Sequence, residues 1–278
     1  MNPEHKRYIL AIALIIIIGT AAYSNTLHST FQFDDESNVV NNPDIKNLSN
    51  LGAIFSFMPT RFITNLSLAV NYHFNGLGVT GYHLFNLLVH LCTAIMVWWL
   101  VILTLCTPAF KDKGISNHSN IIAFFTALIF VSHPVQTQAV TYIIQRAASL
   151  ATLFYVSSLA LYVKSRLSRH ESDRSRIYYT LSFIALILAI FSKEMTITLP
   201  FMILLYEVCF FREEGIDWKR VMPFLLTLLI IPATMIMTKS VNFAEMRIMN
   251  QPTPDILPSH YLLTQFRVIV TYIRLLFI

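Results

Sequence analysis

Long apolar runs alternate with short polar interruptions along this chain, and the runs have lengths suited to a bilayer. A spanning helix needs about 17–25 mainly apolar residues. Residues 8–24, 82–106, 120–137, 147–163, 177–192, 195–211, 221–238 and 261–278 meet that pattern. Two regions are tight. Residues 177–211 must cross twice, turning at Ser192-Lys193-Glu194, and the 120–163 region is interrupted by His133-Pro134, where proline ends or kinks a helix. The pattern predicts an all-α polytopic membrane protein, one bundle of about eight transmembrane helices over residues 1–278.

The longest polar interruption, residues 25–81, has internal structure of its own. Asn42-Pro43-Asp44 and Asn75-Gly76-Leu77-Gly78 are turn signals. Between them, Ser49 is expected to cap a helix from Asn50 to Met58, Pro59 to break it, and a second helix to run from Phe62 to Phe74. Both are expected to lie in the membrane interface.

Composition agrees with the pattern. With 55% hydrophobic and 13% charged residues, the chain is not that of a soluble globular protein. The first apolar run follows His5-Lys6-Arg7 without a small-residue cleavage site, so it reads as a retained helix, with a signal peptide as the rival. Cys92, Cys106 and Cys209 lie inside apolar runs and read as helix-packing residues, without a disulfide framework or a metal motif. The formal charge of +5 is explained by topology rather than by nucleic acid. With a cytoplasmic N-terminus, 12 Lys and Arg fall inside, 6 outside and 2 (Arg267 and Arg274) within the last run. The Lys164–Arg176 segment dominates that bias, which orients membrane proteins.

Polar residues within the apolar runs form stripes. His83, Asn86 and His90 share one face of a helix, as do Arg267, Thr271 and Arg274. The first stripe reads as polar packing between helices or as a binding surface. The second places two arginines where they need anions or water. Gln138, Tyr142, Gln145 and Arg146 mark the polar face of a short helix after Pro134, with Arg146 at the mouth of the next crossing, as a snorkelling anchor or a ligand contact. Lys193 and Glu194 sit in a short hairpin, where they can pair with each other. The run ending at Ile278 has no polar flank, as a truncated chain would.

The chemistry centres on Asp34-Asp35-Glu36, just beyond the first run. Such a triplet can coordinate a cation, act as a general base or solvate a loop. The predicted topology gathers it with Arg61, the start of the His83 stripe, Arg146 and Lys193-Glu194 on one membrane face. Carboxylates beside cations suit transfer from a lipid-borne phosphate donor to an external acceptor. Cations would stabilise the departing phosphate, and a carboxylate would take a proton from the attacking hydroxyl. These residues name no definite cofactor, and a divalent cation is the candidate they leave open.

Several segments carry a resemblance. Phe33-Asp34-Asp35 with Asn38 to Pro43, Tyr82 to His90, His133 to Val140 with Gln145-Arg146, Ser192-Lys193-Glu194, and Tyr261 to Arg267 occur in the order found in the transmembrane and tetratricopeptide repeat (TMTC) family and its bacterial relatives. The chain resembles that family. The resemblance implies a GT-C class glycosyltransferase using a polyprenyl-phosphate-linked sugar, with Asp34 or Asp35 catalytic. With the charge split placing the N-terminus in the cytoplasm, it also implies an active site on the outer face of a bacterial inner membrane. Arg146, Lys193, Arg267 and Arg274 are then expected to hold donor phosphate. Asn38, Arg61, His83, Asn86, His90, His133, Gln138 and Glu194 are expected to support the site. The acceptor is a protein hydroxyl, with a glycan or lipid acceptor and a non-catalytic scaffold as rivals. Inversion at the sugar carbon follows by analogy with one-step glycosidases.

Overall fold

A computed structural model describes residues 3–237 and 258–277. Lys239 and Arg247 of the charge split, the end of the 221–238 run, and Ile278 lie outside the described residues.

The apolar runs fold as helices because a backbone in lipid must satisfy its own hydrogen bonds. In chain order they are α1 (Pro3–Tyr23), α2 (Leu51–Phe57), α3 (Phe62–Asn75), α4 (Val79–Leu105), α5 (Pro108–Lys111), α6 (Ser119–Ser132), α7 (Thr137–Thr141), α8 (Arg146–Leu167), α9 (Ser172–Ile190), α10 (Leu199–Phe210), α11 (Trp218–Leu226), α12 (Ile230–Met237) and α13 (Pro258–Leu275). Among the described residues, four segments are long and apolar enough to cross a membrane: Tyr8–Thr26, Val79–Leu105, Gly114–Ser132 and Ile143–Leu167. The protein is an all-α polytopic membrane protein.

The other four expected runs are helical but shorter or more charged. α9 opens on Asp173, Arg174 and Arg176, and α10 has 12 residues. The 221–238 run is interrupted by a 3-10 turn at Thr227–Leu229. α13 carries Arg267 and Arg274.

The chain divides into two compact units, Met1–Ile231 and Pro232–Ile278. In the first, α1, α4 and α6 share a core of Ile15, Leu87, Leu91, Ala94, Ala123, Ala127 and Val131. A Cβ at Gly19 would come within 2.5 Å of Leu91 and 2.6 Å of Val131, so only glycine lets α1 approach this closely. α8 and α9 pack through small residues. Ser158 and Ser182 each donate to the other's backbone carbonyl, at 2.8 and 2.7 Å. The second unit contributes α13, on which Arg267 and Arg274 are both exposed and Thr271 bonds back to the Arg267 carbonyl.

Four local expectations are refined. The cap of α2 is Asn50, not Ser49; its side chain accepts from Ala53 N at 3.1 Å. α6 stops at Ser132, five residues short of the expected end, because His133 before Pro134 is extended. α2 and Pro59–Asn75 meet at 110°, a re-entrant or interfacial bend rather than one straight crossing. Cys106 and Cys209 are exposed, so of the three free cysteines only Cys92 is partly packed.

Candidate active site

The acidic loop is held by its own middle residue. Asp35 is 1% exposed, and its two carboxylate oxygens accept separate backbone bonds: Oδ1 from Ile144 N at 2.8 Å, Oδ2 from Gln32 N at 3.0 Å. Asp35 thereby ties the loop after α1 to the start of α8. Burial pushes its carboxyl above the usual range, against the two amides and His83, which favour the anion.

Asp34 is the opposite case. Its side chain is exposed and its backbone N–H donates to Tyr142 Oη at 2.9 Å. The Asp34 carbonyl accepts from Asn38 Nδ2 at 2.8 Å and Ser37 Oγ at 3.2 Å, so the following turn is fixed from below. Burial, and then the nearby Asp34 and Asp35 carboxylates, raise the Tyr142 phenol above its usual range, outweighing the Asp34 amide. Tyr142 is therefore protonated at neutral pH and can donate toward Asp34.

Just before the pair stands Phe33, with φ of +46°. A bulky residue in the left-handed region is strained. Its ring packs edge-on to Tyr142 at 6.4 Å. The backbone is thus bent so that Asp34 points out and Asp35 points in.

Arg146 lies under the loop, fully buried. Its Nε donates to Asn86 Oδ1 at 2.8 Å, and its terminal nitrogens donate to the carbonyls of Ser67 (3.1 Å) and Tyr82 (3.0 Å). Its guanidinium is stacked 4.3 Å from the Phe85 ring centroid. The snorkelling and mouth placements are corrected: this arginine faces neither headgroups nor solvent. No carboxylate pairs with it among the described residues, and it joins α3, α4 and α8.

The His83 stripe takes the packing alternative. His83 Nε2 meets Ser29 O at 2.9 Å, and Asn86 Nδ2 lies 3.4 Å from the carbonyls of Val140 and Ile143. His90 Nε2 meets Val131 O at 3.1 Å. Each of these three side chains thus answers a carbonyl near the place where the neighbouring chain leaves regular helix, as backbone at membrane depth requires. His133 Nδ1 accepts from Val135 N and caps the turn after Pro134, while the Gln138 side chain is exposed.

A second cluster joins α3 to the α9–α10 turn. Glu194 accepts from Thr60 Oγ1 at 2.6 Å and pairs with Arg61 Nε at 3.2 Å, rather than with Lys193. Burial would raise the Glu194 carboxyl, but the Thr60 hydrogen bond and Arg61 outweigh it and hold it below its usual value. Lys193 is half-buried, and burial with the Arg61 charge lowers its ammonium. Thr64 Oγ1 to Ser192 O, at 2.9 Å, locks the same junction.

Asp35 has both oxygens occupied by amides, and no three His, Cys, Asp or Glu converge among the described residues. Arg267 and Arg274 belong to the second unit.

Comparison with known proteins narrows the context. Human "Protein O-mannosyl-transferase TMTC3" is 29% identical over 212 residues, covering 71% of this chain and 21% of that protein. Mouse "Protein O-mannosyl-transferase TMTC2" is 27% identical over 222 residues, 74% of this chain and 24% of its own. Fruit-fly "Protein O-mannosyl-transferase Tmtc3" is 30% identical over 183 residues, 58% and 20% respectively. The chain is similar to the TMTC protein O-mannosyl-transferases. It spans between a fifth and a quarter of the length of these TMTC relatives. No family model and no solved structure matches it.

Several residues of the structure escaped the TMTC-like motifs. Tyr142, Ser67 and Thr60 act through backbone or hydroxyl contacts that spacing does not reveal. Arg166, counted only as a positive charge, has a fully buried side chain and pairs with Glu207 at 2.7 Å. The signal was a carboxylate inside the apolar run Leu199–Phe210.

Proposed function

We propose that this chain is the membrane portion of a glycosyltransferase that moves a sugar from a polyprenyl-phosphate-linked donor to a protein hydroxyl. The names of its relatives support mannose and a protein acceptor. The observation that carries the reading is the division of labour in the acidic pair: an exposed Asp34 on a loop that a buried Asp35 holds in place.

In this reaction the acceptor oxygen attacks the anomeric carbon as the bond from that carbon to the phosphate oxygen breaks. Asp34 takes the hydroxyl proton, and the phosphate leaves as an anion with its bonding pair. One carboxylate base and one displacement invert the sugar carbon. Tyr142 and Asn38 orient Asp34. Lys193 is the residue proposed to hold the donor phosphate, because departing charge needs nearby cations. Arg146 acts instead as the post beneath the loop. The site is proposed to face away from the cytosol in a bacterial inner membrane with the N-terminus inside, as the charge split and the resemblance imply.

The test is transfer of labelled mannose from polyprenyl-phosphate mannose to serine and threonine of a protein acceptor, in membranes carrying the protein. Label should appear in protein and be released by β-elimination. Label appearing only in lipid or glycan would contradict the acceptor, and no transfer beyond that of empty membranes would contradict the reading.

A further inference from the structure

A second polar centre lies at the far end of α8. Arg166 is 20 positions beyond Arg146, roughly 30 Å at about 1.5 Å per residue, close to the thickness of a bilayer core. There a cavity of about 670 Å³ opens between the ends of α4, α5 and α8. It is lined by Cys106, Lys111, Arg166, Arg169, His170 and Glu214, among others.

The charges around this cavity are unevenly matched. Arg166, Arg169 and Arg220 reach Glu207, Glu214 and Asp217, while Lys111 forms no ion pair among the described residues. Arg166 is also incompletely served. Nε is bonded to Glu207, but Nη1 is buried without a hydrogen-bond partner, with Asp217 Oδ2 3.9 Å away. Glu214 is the competing anion. It is 43% exposed and stands 3.6 Å from Arg166, too far for a hydrogen bond, so it can yield to a better acceptor.

We propose that this cavity binds a phosphate group, supplied by the headgroup of an anionic glycerophospholipid. Planar guanidinium groups match phosphate oxygens two at a time, and basic pockets between membrane helices suit anionic headgroups. A phosphate there would meet Lys111, Arg169 and, in place of Glu214, the Nη2 edge of Arg166. This site is separate from the Asp34 loop and does not depend on the proposed transfer reaction.

Binding to purified protein in detergent tests it, with three probes: dihexanoyl phosphatidylglycerol, dihexanoyl phosphatidylcholine and inorganic phosphate. Lys111→Gln with Arg169→Gln removes two exposed cations and spares the Arg166–Glu207 pair. Lys46→Gln with Arg176→Gln removes the same charge elsewhere. The anionic lipid should bind more tightly than the zwitterionic one, and the cavity variant should weaken it roughly 10–30-fold while the control variant does not. If inorganic phosphate binds as tightly as the lipid and suffers the same loss, the phosphate site stands and its source is a soluble anion. Binding unchanged in the cavity variant, or equal losses in both variants, would overturn the proposal, as would failure of both anionic probes to bind.

Discussion

Arg146 and Arg166 sit on the same helix, both without exposed side-chain surface, and they are stabilised in opposite ways. Arg166 has a carboxylate: Glu207 accepts from its Nε at 2.7 Å and from Tyr162 at 2.7 Å, and its second oxygen takes the Asp217 amide at 3.1 Å. Arg146 has only neutral acceptors and aromatic faces. A buried ion pair is locally neutral and serves to hold helices together. A buried cation bonded to carbonyls keeps its charge, and that charge lies beneath the loop where Asp35 is buried and Asp34 is presented. The comparison separates a fastening from a foundation.

Breaking one partner should expose the contrast most strongly. Arg166→Met leaves Glu207 buried and unpaired, a loss of about 3–5 kcal/mol. Arg166→Met with Glu207→Met should recover most of it. Unfolding in detergent measures both; equal instability of single and double variants would mean the two residues do not act as a unit.

Next in size is Arg146→Lys. It keeps the charge but not the fork, leaving two of three acceptors unsatisfied at a cost of about 1–3 kcal/mol. In the neutral Arg146→Met variant no carboxylate substitution should restore stability, Asp35→Asn included. Rescue by Asp35→Asn would show that Arg146 is an ion pair after all, and the contrast with Arg166 would vanish.

The smallest effect sits at the Arg61–Glu194 junction, where both side chains are about one-third exposed. The folded Glu194 carboxyl is held below its ordinary value of 4.5, so the unfolded chain takes up that proton first as pH falls. Its stabilisation is complete above that value and is lost as pH falls through the lower folded one. Glu194→Gln should therefore cost about 1 kcal/mol or less at pH 7, with the gap from wild type closing in acid. A gap independent of pH would remove the charge from the explanation.

Much of the fold was legible because lipid leaves the chain few choices. Apolar runs must be helices, and Pro59 and Pro134 must end them, so boundaries fell within a few residues. The acidic loop was legible too, since carboxylates are scarce in such a chain. What spacing could not reveal was direction. Nothing in Asp34-Asp35 says which carboxylate turns inward; that is decided by Phe33 at positive φ and by amides of Gln32 and Ile144 that lie far apart in sequence. Likewise Arg146 and Arg166 look alike as letters, and only their partners distinguish them.

The central claim is that Asp34 carries the chemistry while Asp35 holds the loop. The most direct measurement is the single-turnover rate of sugar transfer in three variants, with donor binding followed in parallel. Asp34→Asn keeps the shape and removes the base, so transfer should fall about 10²–10⁴-fold with donor affinity and folding unchanged. Asp35→Asn should lower activity through a loosened loop, with a fall in thermal stability that Asp34→Asn does not show, and Glu36→Gln should retain near wild-type rates. Wild-type transfer by Asp34→Asn would contradict the account, and the exposed aspartate would be a solvated loop residue.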